Sequence, residues 1–261
     1  MNLDIYQIDA FARGPFSGNP AAVVPLNEWL TDETLQSIAE ENNLSETAYF
    51  IKTDEGYHIR WFTPLIEVNL CGHATLASAH VIFKHLGHQE DEIVFHSKSG
   101  KLSVKKAGEG YTLNFPTDKY IKIDPIKDIT TALGDSPMEW YKGRDDIMLI
   151  FESQDQIENM NPDFGALAKL EGRGYLVTAK GKDEFDFVSR GFFPRAGVNE
   201  DPATGSAHTT LTPYWSKRLN QLELTACQLS DRKGYFHCID LCERTQISGK
   251  CNDYLVGRLS I

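Results

Sequence analysis

The sequence predicts an α+β protein of two pseudo-symmetric domains, each a mainly antiparallel, barrel-like sheet around a central helix. Three observations carry that expectation. The first is an internal echo: Arg60-Trp-Phe62-Thr-Pro64-Leu-Ile-Glu-Val68-Asn69 recurs as Arg190-Gly-Phe192-Phe-Pro194-Arg-Ala-Gly-Val198-Asn199, with Arg, Phe, Pro, Val and Asn repeated 130 residues apart. After three extra residues the echo resumes, with Gly72, Ala74, Lys84 and Leu86 answered by Gly205, Ala207, Lys217 and Leu219. A repeat this long is too large for a solenoid unit and implies two related domains. The second is a run of short apolar or alternating segments separated by turns too short for crossover helices, which favours antiparallel pairing. The third is the stretch Ala74 to Leu86, apolar nearly all the way round, which must be surrounded by protein.

In chain order, strands are expected over Ile5–Phe11, Tyr57–Phe62, Glu92–Phe95, Leu102–Lys105 and Tyr111–Phe115, punctuated by Glu55-Gly56, Ser99-Gly100 and Gly108-Glu-Gly110. Thr31 can cap a helix running to about Asn42, with Leu35, Ile38 and Ala39 on one face. The second half repeats the style at Ile147–Phe151, Tyr175–Ala179, Phe185–Val188, Leu222–Leu229, Tyr235–Leu241 and Arg244–Ile247. Asp124-Pro125 opens a short helix that Gly134 closes, and Asn161-Pro162 opens another ending near Gly172. Gly205 to Leu219 should form the second central helix, kinked at Pro213. The seam falls near Pro116 to Pro125, giving domains of 1–116 and 117–261.

Charge and composition exclude several function classes. A net charge of −11 and a pI near 5.2 argue against nucleic acid, whose binding surfaces need clustered Lys and Arg. No apolar run approaches the roughly 18 residues of a membrane span, and Met1-Asn-Leu-Asp-Ile-Tyr6 has no signal-peptide character. Five cysteines without regular pairing read as reduced thiols, so a cytoplasmic protein is expected.

The residues with chemical potential cluster at the echo. Two helices opened by Gly72 and Gly205 would each offer unpaired N–H groups and a positive dipole end to a substrate carboxylate; the plain alternative is close strand-to-helix packing. His73 could donate a hydrogen bond, relay a proton or cap its helix. Asp201, in Glu200-Asp-Pro-Ala-Thr-Gly205-Ser206, could serve the same chemistry or cap the second helix. Glu46, where a polar loop enters an apolar strand, would be partly desolvated, which suits a carboxylate to proton transfer. Asn19 either forms a turn or offers its amide to a ligand. Cys71 sits at a helix start that could activate a thiol, but the second half has no cysteine at the equivalent point, so a two-thiol racemase is disfavoured and Cys71 reads as structural. His237, Cys238, Cys242 and Cys251 fit no common closed zinc site, so no metal is expected there.

Pro15-Phe-Ser-Gly-Asn19-Pro20, Asn43-Leu-Ser-Glu46-Thr-Ala, Arg60-Trp-Phe-Thr-Pro64, Cys71-Gly-His-Ala-Thr-Leu-Ala77 and Glu200-Asp-Pro-Ala-Thr-Gly-Ser-Ala-His208 together resemble the phenazine-biosynthesis isomerase (PhzF-like) family. The resemblance implies a diaminopimelate-epimerase-type fold of two similar halves with the active site in the cleft between them. It further implies a cofactor-free isomerase, usually a homodimer. By matching position, Glu46 would be the general acid/base, assisted by His73 and Asp201. Gly72, Gly205 and Ser206 would hold the carboxylate and neighbouring polar groups of a small anionic metabolite, with Asn19 beside them. The family's founding reaction isomerises trans-2,3-dihydro-3-hydroxyanthranilate. Two alternatives remain: an amino-acid or hydroxy-acid racemase, and a metabolite-binding protein without turnover.

Overall fold

Strand β1 (Asn2–Ala10) pairs antiparallel with β2 (Asn19–Leu26) on one side and with the last strand of the chain, Cys251–Ser260, on the other. That pairing decides the domain organisation. The computed structural model describes residues 1–261 as two units: Met1–Asn114 with Ser248–Ile261, and Phe115–Ile247. The linear division into 1–116 and 117–261 therefore misplaces the C-terminus. The register from Asn2↔Ser260 to Ala10↔Cys251 draws it into the first unit.

The first unit continues with α1 (Asp32–Asn42), β3 (Glu46–Thr53), β4 (Gly56–Phe62), β5 (Glu67–Val68), α2 (Gly72–Lys84), β6 (Glu92–Ser97), β7 (Gly100–Ala107) and most of β8 (Gly110–Pro116). Thr31 caps α1 by accepting from the Thr34 N–H, and Asn43 closes it in the left-handed conformation. Most pairs are antiparallel, but β2 runs parallel to β3 and β4 to β6; α1 supplies the first of those crossovers and α2 the second. Helix α2 is buried from Gly72 to Ile82 and packs against β1, β2, β3, β7 and the C-terminal strand. Its Leu76, Val81 and Ile82 are fully enclosed, each contributing about 1.5–3 kcal/mol by burial.

The second unit holds β9 (Ile121–Lys122), α3 (Lys127–Leu133), β10 (Glu139–Lys142), β11 (Asp146–Ile150), α4 (Gln154–Asn159), α5 (Phe164–Leu167), β12 (Gly174–Lys180), β13 (Phe187–Phe193), β14 (Val198–Asp201), α6 (His208–Leu219), β15 (Glu223–Gln228), β16 (Gly234–Asp240) and most of β17 (Arg244–Gly249); the C-terminal strand is β18. Its parallel pairs are β11 with β12 and β13 with β15. The helix expected from Asn161 to Gly172 shrinks to the single turn of α5, capped by Asp163 rather than Asn161. Helix α4, absent from the sequence expectations, is opened by a capping box of Ser153 and Gln156. Pro213 lies inside α6 and cannot donate to the Thr209 carbonyl. The Asp118 N–H takes that acceptor at 3.1 Å, and Thr210 Oγ1 donates to Asp118 Oδ2 at 2.9 Å.

The echo has a physical basis. Arg60 lies 5.0 Å over the Phe62 ring and pairs through Nε and Nη2 with Glu67 at 2.8 and 3.0 Å. Arg190 lies 5.0 Å over the Phe192 ring and pairs in the same forked manner with Glu200 at 2.7 and 2.8 Å. Two parallel charge-assisted bonds fix such a pair in one geometry. The two glutamates stand 133 residues apart, so the three-residue insertion precedes Glu200 instead of following Asn199. It forms the 3₁₀ turn Pro194–Ala196 with Gly197 in the left-handed conformation. Strand register agrees: Trp61 faces Val68, and Gly191 faces Asp201.

Candidate active site

Glu46 is the first residue of β3, and its position is set by the parallel neighbour Ala21 on β2. His73 is the second residue of α2 and is buried. The two meet, with His73 Nε2 3.2 Å from Glu46 Oε2. On the far side of the imidazole, Nδ1 lies 3.3 Å from Asn19 Nδ2 and 3.4 Å from Cys71 Sγ. The sequence motif around Asn19 has a steric reason. Gly18 has φ +76°, and a Cβ there would sit 2.3 Å from the Ala10 carbonyl oxygen, so only glycine delivers Asn19 to this place. Residues from three separate stretches of the sequence thus converge at the start of the central helix.

Burial opposes a charged imidazole at His73, yet Cys71 and Glu46 outweigh it and hold its pKa well above the ordinary histidine value. Burial, reinforced by the Glu46 carboxylate, pushes the Cys71 thiol up, the opposite of what a reactive thiolate needs. Glu46, Cys71 and His73 offer ligand atoms within 4.8 Å of one another, a donor set able to hold a cation as well as to pass a proton. The start of α2 carries no side-chain cap, which leaves the backbone at Gly72 and His73 suited to an anionic group.

The second unit builds a different constellation. Asp201 ends β14 and accepts a hydrogen bond from Thr204 Oγ1. It does not cap α6, whose N-cap is Ala207 without a side-chain bond. Gly205 and Ser206 do not open the helix as the echo suggests. They form the turn ahead of it, in which the His208, Thr209 and Thr210 N–H groups donate to the carbonyls of Gly205, Ser206 and Ala207. Gln228, which no sequence signal marks, fixes this loop: its amide donates to the Asp201 carbonyl at 2.6 Å and to Thr204 Oγ1 at 3.1 Å, and its oxygen accepts from the Thr204 N–H at 2.8 Å. His208, buried and stacked 3.7 Å from Phe236, is pushed by burial down to about 4 despite the Thr204 carbonyl it faces. Of the cysteines near the C-terminus, Cys238 is buried and Cys242 exposed, while His237 pairs with Glu223.

Residues 8–252 match the family model described as phenazine biosynthesis-like protein (PhzC-PhzF). The chain belongs to that family. An uncharacterised isomerase of Pseudomonas aeruginosa is 48% identical over the whole of both chains. A second uncharacterised isomerase, from Halalkalibacterium halodurans, is 45% identical over 90% of this chain and 89% of its own. Among solved structures, a PhzF-family protein of Enterococcus faecalis superposes with a TM-score of 0.97 at 45% identity, covering both chains fully. A hydroxyproline epimerase from Agrobacterium vitis, at 9% identity and a TM-score of 0.60 over 99% of this chain and 92% of its own, shares the fold. The expected α+β, epimerase-type architecture is thereby established, and the protein falls among PhzF-like isomerases. No helix is long and apolar enough to cross a membrane.

Proposed function

We propose that this PhzF-like protein is a cofactor-independent isomerase that moves a proton within a small carboxylate-bearing metabolite, with Glu46 as the general acid/base. The contact of Glu46 Oε2 with the buried, proton-holding His73 Nε2 at 3.2 Å carries the reading. Glu46 would take a proton from an activated carbon, leaving the electron pair delocalised over the conjugated system. As the acid it would return that proton to another carbon of the same system. Positioned acid–base help of this kind is worth about 10²–10⁴-fold in rate. The uncapped start of α2 at Gly72 would receive the substrate carboxylate, with Asn19 orienting His73. Asp201 and the turn at Gly205 and Ser206 are assigned to the same reaction through the family motif, Asp201 assisting proton transfer and the turn holding polar groups of the substrate.

The raised pKa of Cys71 favours Glu46 over a thiol as the proton carrier. Isomerisation is therefore preferred to two-thiol racemisation. The trans-2,3-dihydro-3-hydroxyanthranilate of the founding family reaction is one member of the substrate class rather than its definition. A homodimer is expected from the family resemblance, and the exposed Tyr254, Leu255 and Val256 on β18 offer it an apolar surface.

Proton NMR in D₂O tests the reading. Wild-type protein, with dihydro-hydroxyanthranilate and a panel of amino and hydroxy acids, should introduce deuterium at a carbon of one compound, and Glu46→Gln should not. Exchange that survives in Glu46→Gln removes Glu46 from its role. Binding without exchange by the wild type would make the protein a metabolite binder.

A further inference from the structure

A second cluster on α2 lies outside the proposed chemistry. His80 Nε2 and His85 Nε2 converge on one oxygen of Asp253, at 3.0 and 2.9 Å, and the three ligand atoms lie within 4.8 Å of one another. Asp253 arrives from β18, so residues far apart in sequence are gathered at one point of the first unit. We propose that His80, His85 and Asp253 form a binding site for one first-row divalent cation of the zinc, cobalt or nickel type.

Both nitrogen–oxygen separations are close to what such an ion needs. Metal–ligand bonds of about 2.0–2.1 Å in a tetrahedron put neighbouring ligand atoms about 3.3–3.4 Å apart. Each nitrogen–oxygen separation therefore has to open by less than about half an ångström. The rings are already oriented: His80 Nδ1 is 3.0 Å from Tyr111 Oη, and Tyr111 stacks flat on Phe83. A hydrogen bond on the non-ligating nitrogen is how metal-binding histidines are fixed in tautomer and direction. His85 rests against the Tyr6 ring at 4.9 Å. Two imidazoles and one carboxylate select a borderline transition metal over magnesium or calcium, which take oxygen ligands. Three protein ligands leave a fourth position for water. Lys84 Nζ pairs with the other Asp253 oxygen at 2.5 Å, and its positive charge opposes the cation. Its side chain is 54% exposed, so it can swing into solvent when the ion enters. A bound ion would tie β18 to α2 and stabilise the folded first unit by mass action. His73 lies seven residues earlier on α2, about 10 Å along the axis, so the two sites are distinct.

Cobalt titration of chelator-treated, dialysed protein reads the site through visible d–d absorption and the melting temperature together. The expected result is one equivalent of Co²⁺ with a raised melting temperature, both lost in His85→Ala and in Asp253→Asn. Tyr111→Phe should weaken binding about 10–100-fold, and Lys84→Ala should lower the Kd. Cys71→Ser and Glu46→Gln should bind as the wild type does. Absence of stoichiometric binding by the wild type overturns the proposal. So does binding that persists in both Asp253→Asn and His85→Ala. Loss of the signal in Cys71→Ser would instead place the ion at Glu46, Cys71 and His73.

Discussion

The two units use one frame and fill it differently. Strand register makes the comparison position by position. Ala48 faces Trp61 as Leu176 faces Gly191, so Glu46 in the first unit corresponds to Gly174 in the second. A Cβ at Gly174 would lie 2.3 Å from the Phe193 ring, so the second unit has no space for a carboxylate there. Asp201 reverses the pattern and stands where the first unit has Val68. At the helix starts, Cys71 and His73 correspond to Thr204 and Ser206. Both units contain the arginine–glutamate fork, while each holds a different acid. A mechanism with one proton carrier follows more naturally from such halves than one with two matched carriers.

The largest expected effect tests that asymmetry directly. Glu46→Gln removes the one carboxylate beside His73, and turnover should fall by about 10²–10⁴-fold with the melting temperature little changed. The same substitution should lower the His73 pKa, followed by NMR titration of its ring protons, because the carboxylate facing its Nε2 is gone. Asp201→Asn should also lower turnover without unfolding the protein. If Asp201→Asn costs as much as Glu46→Gln, the two acids share the proton transfer and the single-carrier reading gives way.

The two buried histidines near the helix starts should give opposite pH dependences. His73 is held above its ordinary pKa, so its contribution to stability is complete below about 6.5 and is lost as pH rises through its raised folded value. His208 is depressed to about 4, so the folded state refuses a proton that the unfolded chain accepts. Stability should therefore be full above about pH 6.5 and fall by about 3 kcal/mol as pH drops to about 4. Denaturant melts across that window should show this loss in the wild type and a shallower one in His208→Gln. Equal slopes in the two proteins would mean that His208 is not the group responsible.

A smaller effect is expected at Gln228. Gln228→Ala strips the partner from the buried Thr204 N–H and one from the Asp201 carbonyl, and such losses cost about 1–3 kcal/mol. Turnover should fall along with the melting temperature, since the loop carrying Asp201 loses its brace. An unchanged melting temperature would show that the loop holds itself.

How much of this was legible in the sequence depends on the range of the interaction. The Thr31 cap, the buried Ala74–Leu86 stretch and the echoed arginines are local or repeated signals, and they sit where expected. Glu46, His73 and Asn19 could be picked out by motif, and the structure brings them together. Strand β2 is absent from the sequence expectations because Pro20 and Pro25, which strands usually avoid, mask it. Strand β18 is likewise absent from the sequence expectations, and its pairing is not a local signal because its partner β1 lies at the opposite end of the chain. Gln228 has no local signature, since its role is only to satisfy backbone groups of a distant loop. The insertion in the echo was misplaced because Val68 and Val198 match as letters, whereas the conserved contact is the fork from arginine to glutamate.

The smallest effect is expected at Cys71, and it bears most directly on the choice between isomerase and epimerase chemistry. A thiol that carries protons must spend part of the cycle as thiolate, and burial together with Glu46 drives this one the other way. Its equivalent in the second unit is Thr204, a hydroxyl engaged with Asp201 and Gln228. Cys71→Ser keeps a small polar atom next to His73 Nδ1, so turnover should stay within a few-fold of wild type, and alkylation of Cys71 in the native protein should be slow. Were Cys71→Ser as damaging as Glu46→Gln, the carboxylate would have to be read as the group that activates the thiol through His73. The proton would then travel by sulfur in the first unit alone, and the asymmetry between the units would concern which atom moves it rather than whether one unit moves it.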